Sequence, residues 1–387
     1  MRMISVVLTS AALACLVAAP ACKKKEDAAK GETPATSSST TAAKAPAAMN
    51  QKLVSHVHEH AEKCTVNVEQ GQAYSCKDGI TNDMSKYMRD TKPTDFASTM
   101  IALVDSTEDD KVSAAAVALF SEQFDYLGDD GKKKNATPEV VDAAIKMWKA
   151  QKGNRATRLA SPVTQLATLA GASDKIFAAA AEHGEKGARD NAYRYVLKYG
   201  RLDALPKLQE IAKDKEEHRR ASLDAVTKMP KLTEAERSIV CPWAQGYLGD
   251  SDIGVASEAG QAMVYCKGEF VDALLGEAEK RLAAKEYKDP FATVMREPCF
   301  QFIKNVTDKS GTEAQCDKVY AFLEKAANDK NVDDRTRGLA LWNIYYQRRD
   351  EKTLKLMRKY EKHPNKEISK RAGEAIKSLK ESYKLKG

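Results

Sequence analysis

The residues with the clearest capacity for chemistry lie near residue 60, in a segment that holds three of the six histidines of the chain. On a helix, His56, His60 and Cys64 share one face because they are four residues apart, and Glu59 lies beside them. Two imidazoles with this spacing can chelate a transition metal. His58 points elsewhere on such a helix, and a histidine-rich exposed helix can also arise without a role. The segment predicts a metal site formed by His56 and His60, which would serve a metal-binding or enzymatic module.

Six cysteines follow residue 50, and they fall into three local couples: Cys64 with Cys76, Cys241 with Cys266, and Cys299 with Cys316. Disulfides are the default state of such couples in an exported chain. Zinc is the rival interpretation, but the sequence contains no CxxC pair to support it. Each bridge would close a loop of 12 to 25 residues and stabilise the fold by roughly 3 kcal/mol. The spacing therefore predicts three disulfides, and the first of them competes with the metal site for Cys64.

Sequence motifs for catalysis are absent. The chain has no G-x-S-x-G elbow, no Gly-rich phosphate loop, no H-E-x-x-H motif and no dinucleotide fingerprint. Residues 184–187, with the sequence Gly-Glu-Lys-Gly, are too few for a phosphate loop and fit a turn between repeats. Trp148, Trp243 and Trp342 are scattered one per region, which favours packing between helices over a binding role. The sequence predicts that the protein is not an enzyme and that it uses no cofactor or small-molecule substrate.

The N-terminus has the features of an export signal over residues 1–21. Arg2 supplies a short positive region, an apolar run covers residues 4–19, and an Ala-Pro-Ala sequence at residues 19–21 provides small residues for cleavage. The next residue, Cys22, resembles the lipid-modified cysteine of bacterial lipoproteins. This resemblance implies a lipid that anchors the chain to a membrane. Ordinary cleavage is the alternative, although it would leave a free thiol that invites stray disulfides.

Residues 22–49 are predicted to form the lipid-anchor cysteine and a disordered linker. Residues 26–48 carry no large apolar side chain, so they cannot bury enough surface to offset the entropy of ordering. A flexible linker of about 25 residues reaches roughly 25–30 Å, which is enough to hold a domain clear of a membrane. We therefore expect an exported, membrane-anchored protein that faces the periplasm or the cell surface, a location that argues against a nucleic-acid partner.

A helical pattern recurs beyond residue 50, with small or apolar residues at i, i+3, i+4 and i+7 that form one stripe on a helix face. The two clearest stripes start 30 residues apart and consist of Ala192, Tyr195, Val196 and Tyr199, followed by Ser222, Ala225, Val226 and Met229. In both copies an arginine stands three residues before the stripe, a helix breaker follows it, and a leucine opens a second helical segment. Further stripes start at Ala259, Cys299 and Ala372, with weaker ones at Ala116, Leu159 and Ala340.

The stripes start 30 to 43 residues apart, and this irregular length is typical of two-helix repeats. The Arg–x–x–small–x–x–apolar–apolar pattern and the Asp-containing loops at residues 249–252 and 333–335 resemble the HEAT family, including its short bacterial variety related to phycobilisome lyases. The resemblance covers roughly residues 105 to 380. It implies an α-solenoid, in which pairs of helices stack along one direction.

We therefore expect an all-α fold. An N-terminal helical segment with Cys64 and Cys76 would cover residues 50–104, and an α-solenoid of about seven or eight HEAT-like repeats would cover residues 105–387. An irregular helical bundle is the alternative. The predicted function is that of a non-enzymatic exported scaffold or adaptor that binds an unidentified protein partner on its helical-repeat surface.

The end of the chain is strongly basic. From Glu351 onward, twelve Lys and Arg residues stand against five Glu residues, a net charge as large as the +7 of the whole chain. Terminal repeats need a polar outer face, so this basic C-terminal cap can simply be solvated. The alternative function is attraction to an anionic envelope surface.

Overall fold

The computed structural model describes residues 49–67, 73–76, 82–106, 109–229, 231–266, 269–299 and 311–385. The described residues belong to one structural unit. The predicted signal peptide, Cys22 and nearly all of the predicted linker lie outside them. Most of the stripe that is predicted to start at Cys299 also lies outside them.

The described residues form nineteen α-helices, a two-stranded sheet and four short 3₁₀ turns. The first ten helices are α1 (Gln51–Ala61), α2 (Asn82–Thr91), α3 (Phe96–Ser106), α4 (Asp110–Gln123), α5 (Gly128–Asn135), α6 (Pro138–Ala150), α7 (Gly153–Leu169), α8 (Ser173–Glu182), α9 (Lys186–Gly200) and α10 (Leu205–Ile211). The other nine are α11 (Glu216–Thr227), α12 (Glu234–Gln245), α13 (Ile253–Ala262), α14 (Glu269–Ala283), α15 (Asp289–Ala292), α16 (Glu313–Asn328), α17 (Asp334–Gln347), α18 (Glu351–Tyr360) and α19 (Lys366–Glu381). None of the helices in the described residues is long and apolar enough to cross a bilayer.

Many of these helices begin at a capping residue. The side-chain oxygen of an Asp, Asn or Thr accepts a hydrogen bond from a backbone N–H of the first turn at Asn50, Asp109, Thr137, Thr233, Asp252, Thr312, Asp333, Asp350 and Asn365. These bonds satisfy N–H groups that have no partner within the helix. Asp252 and Asp333 come from the two Asp-containing loops that the sequence analysis singles out.

Alternate helices contact one another in two rows. The first row consists of helices that each contact the next one, namely α4, α7, α9, α11, α13, α15, α17 and α19. In the second row the same holds for α6, α8, α10, α12, α14 and α16. The two rows pack against each other through sequential pairs such as α8–α9 and α16–α17. The chain therefore alternates between the rows, and the fold is all-α apart from one short ribbon.

Small and apolar residues of the predicted stripes line the contacts within the first row. Ala192 and Val196 of α9, and Ser222 and Ala225 of α11, are all at most 1% exposed. Small residues also let neighbouring elements approach closely. A Cβ added at Gly260 of α13 would stand only 2.7 Å from a methyl group of the buried Val294, so a larger residue there would have to displace its neighbour.

Ion pairs cross the junctions of the first row. They include Arg155–Asp110 at 3.2 Å, Arg189–Glu217 at 2.8 Å, Arg219–Asp250 at 3.3 Å and Arg335–Asp289 at 2.7 Å. Arg189 and Arg219 are two of the arginines that the sequence places three residues before a stripe. Arg296, which stands three residues before the predicted stripe at Cys299, contacts its neighbour Glu297 instead. Because Arg155 and Arg189 are buried, removal of their carboxylate partners would leave a buried charge without compensation.

The N-terminal segment contains a ribbon that the sequence analysis does not predict. Strands β1 (Cys64–Asn67) and β2 (Ala73–Cys76) pair antiparallel, with Cys64 opposite Cys76. The β-branched and aromatic types of Thr65, Val66 and Tyr74 favour strands. Runs of four residues, however, are too short to display a clear period of two, and the histidine-rich helix beside them dominates the pattern.

One first-row element between α13 and α17 carries no predicted stripe. The predicted copy starts at Cys299, whereas α15 and the 3₁₀ turn Thr293–Arg296 contact both α13 and α17. The buried side chains of this element are Phe291, Ala292, Val294 and Met295. A four-residue helix that continues into a 3₁₀ turn does not keep the 3.6-residue period on which the stripe search relies.

Candidate binding surface

The predicted metal site near residue 60 lies on helix α1, where its described side chains are those of His56, His60 and Glu59. His60 is buried in α1, and burial lowers its pKa, with the charge of Lys63 adding to the effect. His56 Nδ1 lies 3.9 Å from a carboxylate oxygen of Glu59, and its ring packs beside Tyr87. In the described part of the chain, no group of three or more His, Cys, Asp and Glu side chains could hold a metal ion. The site at His56 and His60 stays a prediction.

Two of the three predicted disulfide pairs are joined in the structure. Cys241 of α12 is bonded to Cys266, which follows α13, with their Cα atoms 5.9 Å apart. Cys299 is bonded to Cys316 of α16, with their Cα atoms 5.6 Å apart. The first bridge connects a second-row helix to the end of the next first-row helix. For Cys64 and Cys76 the described backbone gives only their opposed register, so their disulfide stays a prediction.

The tryptophans occupy packing positions. Trp148 is fully buried, and its Nε1 donates a hydrogen bond to the carbonyl of Ala156 at 2.8 Å. Trp243 and Trp342 are partly buried against the core, and the guanidinium of Arg371 lies 5.6 Å from the ring of Trp342. Their surroundings agree with the packing role that their scattered positions favour.

A charged groove of about 330 Å³ runs between the first-row helices α9 and α11 and reaches α13. The residues that α9 and α11 contribute are spaced three or four apart along each helix, or are adjacent, and this spacing places them on one face of the helix. We call this surface the charged groove, and it is lined by Lys186, Arg189, Asp190 and Arg194 of α9, by Glu216, Glu217, Arg220, Ala221 and Asp224 of α11, and by Glu258 of α13.

Ion pairs that join α9 to α11 form part of the charged groove. Arg189 contacts Glu217 at 2.8 Å, and the pairing with Arg189 lowers the pKa of Glu217. The Nε of Arg194 donates a hydrogen bond to Asp224 at 2.7 Å. These four side chains neutralise one another and hold the two helices in register.

Other charges of the groove remain available. Lys186, Glu216 and Arg220 are exposed, and none of them forms an ion pair or hydrogen bond with another described residue. The guanidinium of Arg220 lies close to α13, where a Cβ at Gly254 would stand 3.2 Å from it. The absence of a side chain at Gly254 therefore leaves room for Arg220 at the edge of the groove.

Two carboxyl groups of the groove have pKa values above their usual range. Burial raises the pKa of Glu258, and the nearby charge of Asp224 raises it further, although the charge of Arg220 opposes the rise. Burial also raises the pKa of Asp190, although the charge of Arg189 opposes the rise. Glu258 forms no ion pair or hydrogen bond with another described residue. Carboxyl groups with raised pKa values in a cleft are frequent at functional sites.

Replacement of Glu258 by glutamine is expected to stabilise the protein at pH 7. A carboxyl group whose pKa is raised by folding stabilises the fold below its unfolded pKa, and this contribution is lost as pH rises through the folded pKa. The variant should therefore unfold at a higher temperature than the wild type at pH 7, and at the same temperature near about pH 4. Thermal unfolding across this range, with Glu216→Gln on the exposed edge as the control, measures the effect. A Glu258→Gln variant that is less stable than the wild type at pH 7 would contradict it.

The sequence pattern indicates two of the residues that line this groove, and it predicts no groove. It selects Arg189 through its position before a stripe, and it assigns Lys186 to a turn between repeats. It does not select Arg220, Asp224 or Glu258. Their relevance depends on which helix lies beside which, and their charged residue types are common on the exposed faces of helices throughout the chain.

No family model matches this chain, and no curated protein matches it either.

Proposed function

We propose that the two rows of helices form an α-solenoid of HEAT-like repeats. Three observations support this proposal. Members of each row contact their neighbours in sequence, from α4 to α19 in the first row. Asp side chains cap α13 and α17 at the loops that resemble HEAT loops. Arginine side chains reach from one first-row unit to the next, at Arg189 and Arg219. In such an array each unit is stabilised by its neighbours, and a continuous surface is left for a partner.

The function that follows from this fold is that of a scaffold, with a segment of a protein partner bound in the charged groove. The observation that carries the proposal is a set of groove charges that form no ion pair or hydrogen bond with another described residue: Lys186, Glu216, Arg220 and Glu258. Charges of both signs suit a polar polypeptide segment that carries both signs, and they select against partners with the wrong pattern. Glu258 in particular ionises at a cost that a cationic group of the partner would offset.

Binding fits the groove better than catalysis does. The residues that line it include no Ser, Thr, Cys, His or Tyr side chain, so the groove offers no hydroxyl, thiol, imidazole or phenol nucleophile. Two of its cations, Arg189 and Arg194, form ion pairs with carboxylates of α11 and are not available for catalysis. We therefore assign the protein a non-enzymatic role.

The location that we propose is the bacterial envelope, with a lipid on Cys22 as the anchor and the folded part in the periplasm or on the cell surface. The two disulfides support an oxidising compartment, because cytosolic thiols are kept reduced. The export signal and the linker composition at the N-terminus support the same assignment.

Site-specific photo-crosslinking in intact envelopes tests the proposed partner site. A benzophenone amino acid placed at Glu216, on the exposed edge of the groove, should give an adduct of discrete mass. The same amino acid placed at Ala178, which is exposed on the second-row helix α8, should not give this adduct. Equal adduct patterns from the two positions would mean that the groove is not the partner site.

Charge reversal in the groove supplies the matched comparison. The double substitution Lys186→Glu and Arg220→Glu should reduce the adduct by at least about tenfold, since two like-charge contacts replace two favourable ones. The substitutions Lys325→Glu and Lys330→Glu change the net charge of the protein equally at exposed positions of a different region. This control pair should leave the adduct unchanged, and an equal loss in both pairs would point to general electrostatics rather than to the groove.

A further inference from the structure

The helix α18 carries a line of lysines along its exposed face. Lys352, Lys355, Lys359 and Lys362 follow one another at spacings of three and four residues, which places them along one side of the helix and its end. All four side chains are exposed, and none forms an ion pair with another described residue. The opposite face is apolar and buried, with Leu354 and Met357 in the core. The charge on α18 is therefore directed to the outside of the fold.

The helix α19 carries a second line of the same kind. Lys366, Lys370, Lys377 and Lys380 share one side of this helix, and all four are exposed without an ion-pair partner among the described residues. The acidic residues Glu367 and Glu374 lie to one side, where they pair with Arg371. Helices α18 and α19 pack against each other, and we refer to their two lysine lines together as the basic face.

An excess of bases distinguishes this end of the fold from other exposed helix faces: residues 351–381 expose nine Lys and Arg side chains against four Glu side chains. On α16, for comparison, the exposed side chains include both acids and bases, namely Glu313, Asp317, Lys318 and Lys325. A solvated end cap needs only polar residues, and mixed signs would serve that purpose without self-repulsion. An excess of lysines on two adjacent helices stabilises the fold less than a balanced pattern would. Its charge requires another explanation.

We propose that the basic face docks this end of the fold onto the anionic surface of a lipid bilayer. The charge complementarity is direct, since a bilayer with anionic headgroups attracts clusters of Lys and Arg within a Debye length. Lysine is a compact, hydrated point charge that suits such a diffuse field. It is depleted at the cores of protein–protein interfaces. The exposed large apolar residues of the described part are Met49, Tyr126 and Leu202, none of them on this face, so docking is electrostatic and does not involve insertion.

Nucleic acid fits the basic face less well. Single-stranded nucleic acid is held by aromatic side chains on which bases stack, and the lysine lines contain none. The predicted lipid on Cys22 would also keep the chain at a membrane, where several weak contacts add to one another. A bilayer is therefore the partner that the composition and pattern of the face favour.

Vesicle co-sedimentation tests the docking. The full chain carries Cys22→Ser in every sample, so that no acyl chain contributes, and the vesicles are either pure phosphatidylcholine or contain a third of phosphatidylglycerol. Substitution of Lys366, Lys370, Lys377 and Lys380 by glutamine should weaken binding to the anionic vesicles about fivefold per residue, and more than a hundredfold together. The same substitution at Lys133, Lys213, Lys325 and Lys330, exposed elsewhere, should change it much less.

Gly373 allows a test by gain of function. It lies on the lysine line of α19, and a Cβ placed there has nothing within 4 Å. Gly373→Lys should strengthen binding to anionic vesicles about fivefold relative to Gly373→Gln, while both substitutions favour the helix alike. Circular dichroism confirms that the variants keep their fold.

Three results would overturn the proposal. The first is equal binding of the variant with four lysines of α19 replaced and of the control variant. The second is binding that persists on pure phosphatidylcholine or at high salt, because an electrostatic contact must fail under both conditions. The third is displacement of the protein from anionic vesicles by polyglutamate or duplex DNA at equal charge concentration, which would assign the basic face to a protein or nucleic-acid partner.

Discussion

Replacement of Gln347 by leucine is expected to lower the free energy of unfolding by about 3–5 kcal/mol. The side chain of Gln347 is fully buried at the end of α17. Its Nε2 donates hydrogen bonds to the carbonyls of Met295 at 2.7 Å and Asn343 at 3.2 Å. Its Oε1 accepts from the backbone N–H of Cys299 at 2.8 Å. Leucine would leave buried backbone groups unsatisfied, each at a cost of about 1–3 kcal/mol.

The expected loss has a structural reason beyond the bonds themselves. The element before Cys299 is a four-residue helix followed by a 3₁₀ turn, so its last carbonyls lack partners of their own. Asn343, one turn earlier on α17, donates to the carbonyl of Ala292 at 2.8 Å in the same way. The two buried amides of α17 thus hold this short element between α13 and α17. Without them the first row would be interrupted.

Urea unfolding of the two variants Gln347→Leu and Arg335→Ala measures the effect. Arg335 lies on the same helix, and its exposed ion pair with Asp289 should contribute less than about 1 kcal/mol. We expect a clearly lower midpoint for Gln347→Leu at an unchanged dependence on urea concentration. Similar midpoints for the two variants would show that the buried amides do not hold the row together.

Replacement of Cys22 by serine is expected to move nearly all of the protein from the membrane fraction to the soluble fraction. The reason is that a serine cannot receive the thioether-linked lipid that the lipoprotein resemblance implies. The basic face would give only reversible attachment, so the fractions are washed at high salt before they are compared. Cys15→Ser, within the predicted signal peptide, is the matched control and should leave the protein on the membrane. A wild-type protein that is already soluble, or that carries no acyl mass on Cys22, would contradict the anchor.

The helical pairs could be predicted from the sequence because their signals are local. All four residues of the stripe at Ser222 are buried, as the period of 3.6 predicts. In the stripe at Ala192 only Ala192 and Val196 are buried, and the buried Tyr193 and Leu197 of the same helix lie outside the predicted stripe. The disulfide pairs Cys241–Cys266 and Cys299–Cys316 followed from short separations along the chain. The element at Asp289–Ala292 escaped prediction, because a short helix that turns into 3₁₀ is stabilised by Gln347 from about fifty residues further along the chain.

The charged groove could not be predicted in the same way. Lys186 and Glu258 both line it, yet they belong to helices that are separated by another first-row helix in sequence. Only the contacts of α9 with α11 and of α11 with α13 bring these charges to one surface. The raised pKa of Glu258 depends on burial in this setting, and a sequence pattern contains no record of burial at a charged position.

Small-angle X-ray scattering of residues 50–387 tests the proposed solenoid most directly. A compact globule of this length has a radius of gyration of about 20 Å. In a solenoid each pair of helices contacts only its neighbours, so the particle lengthens with every pair that is added. The account predicts a radius of gyration clearly above the value for the globule, with a distance distribution that extends asymmetrically to long distances. A symmetric distribution with the radius of gyration of a compact globule would contradict the solenoid and favour an irregular helical bundle.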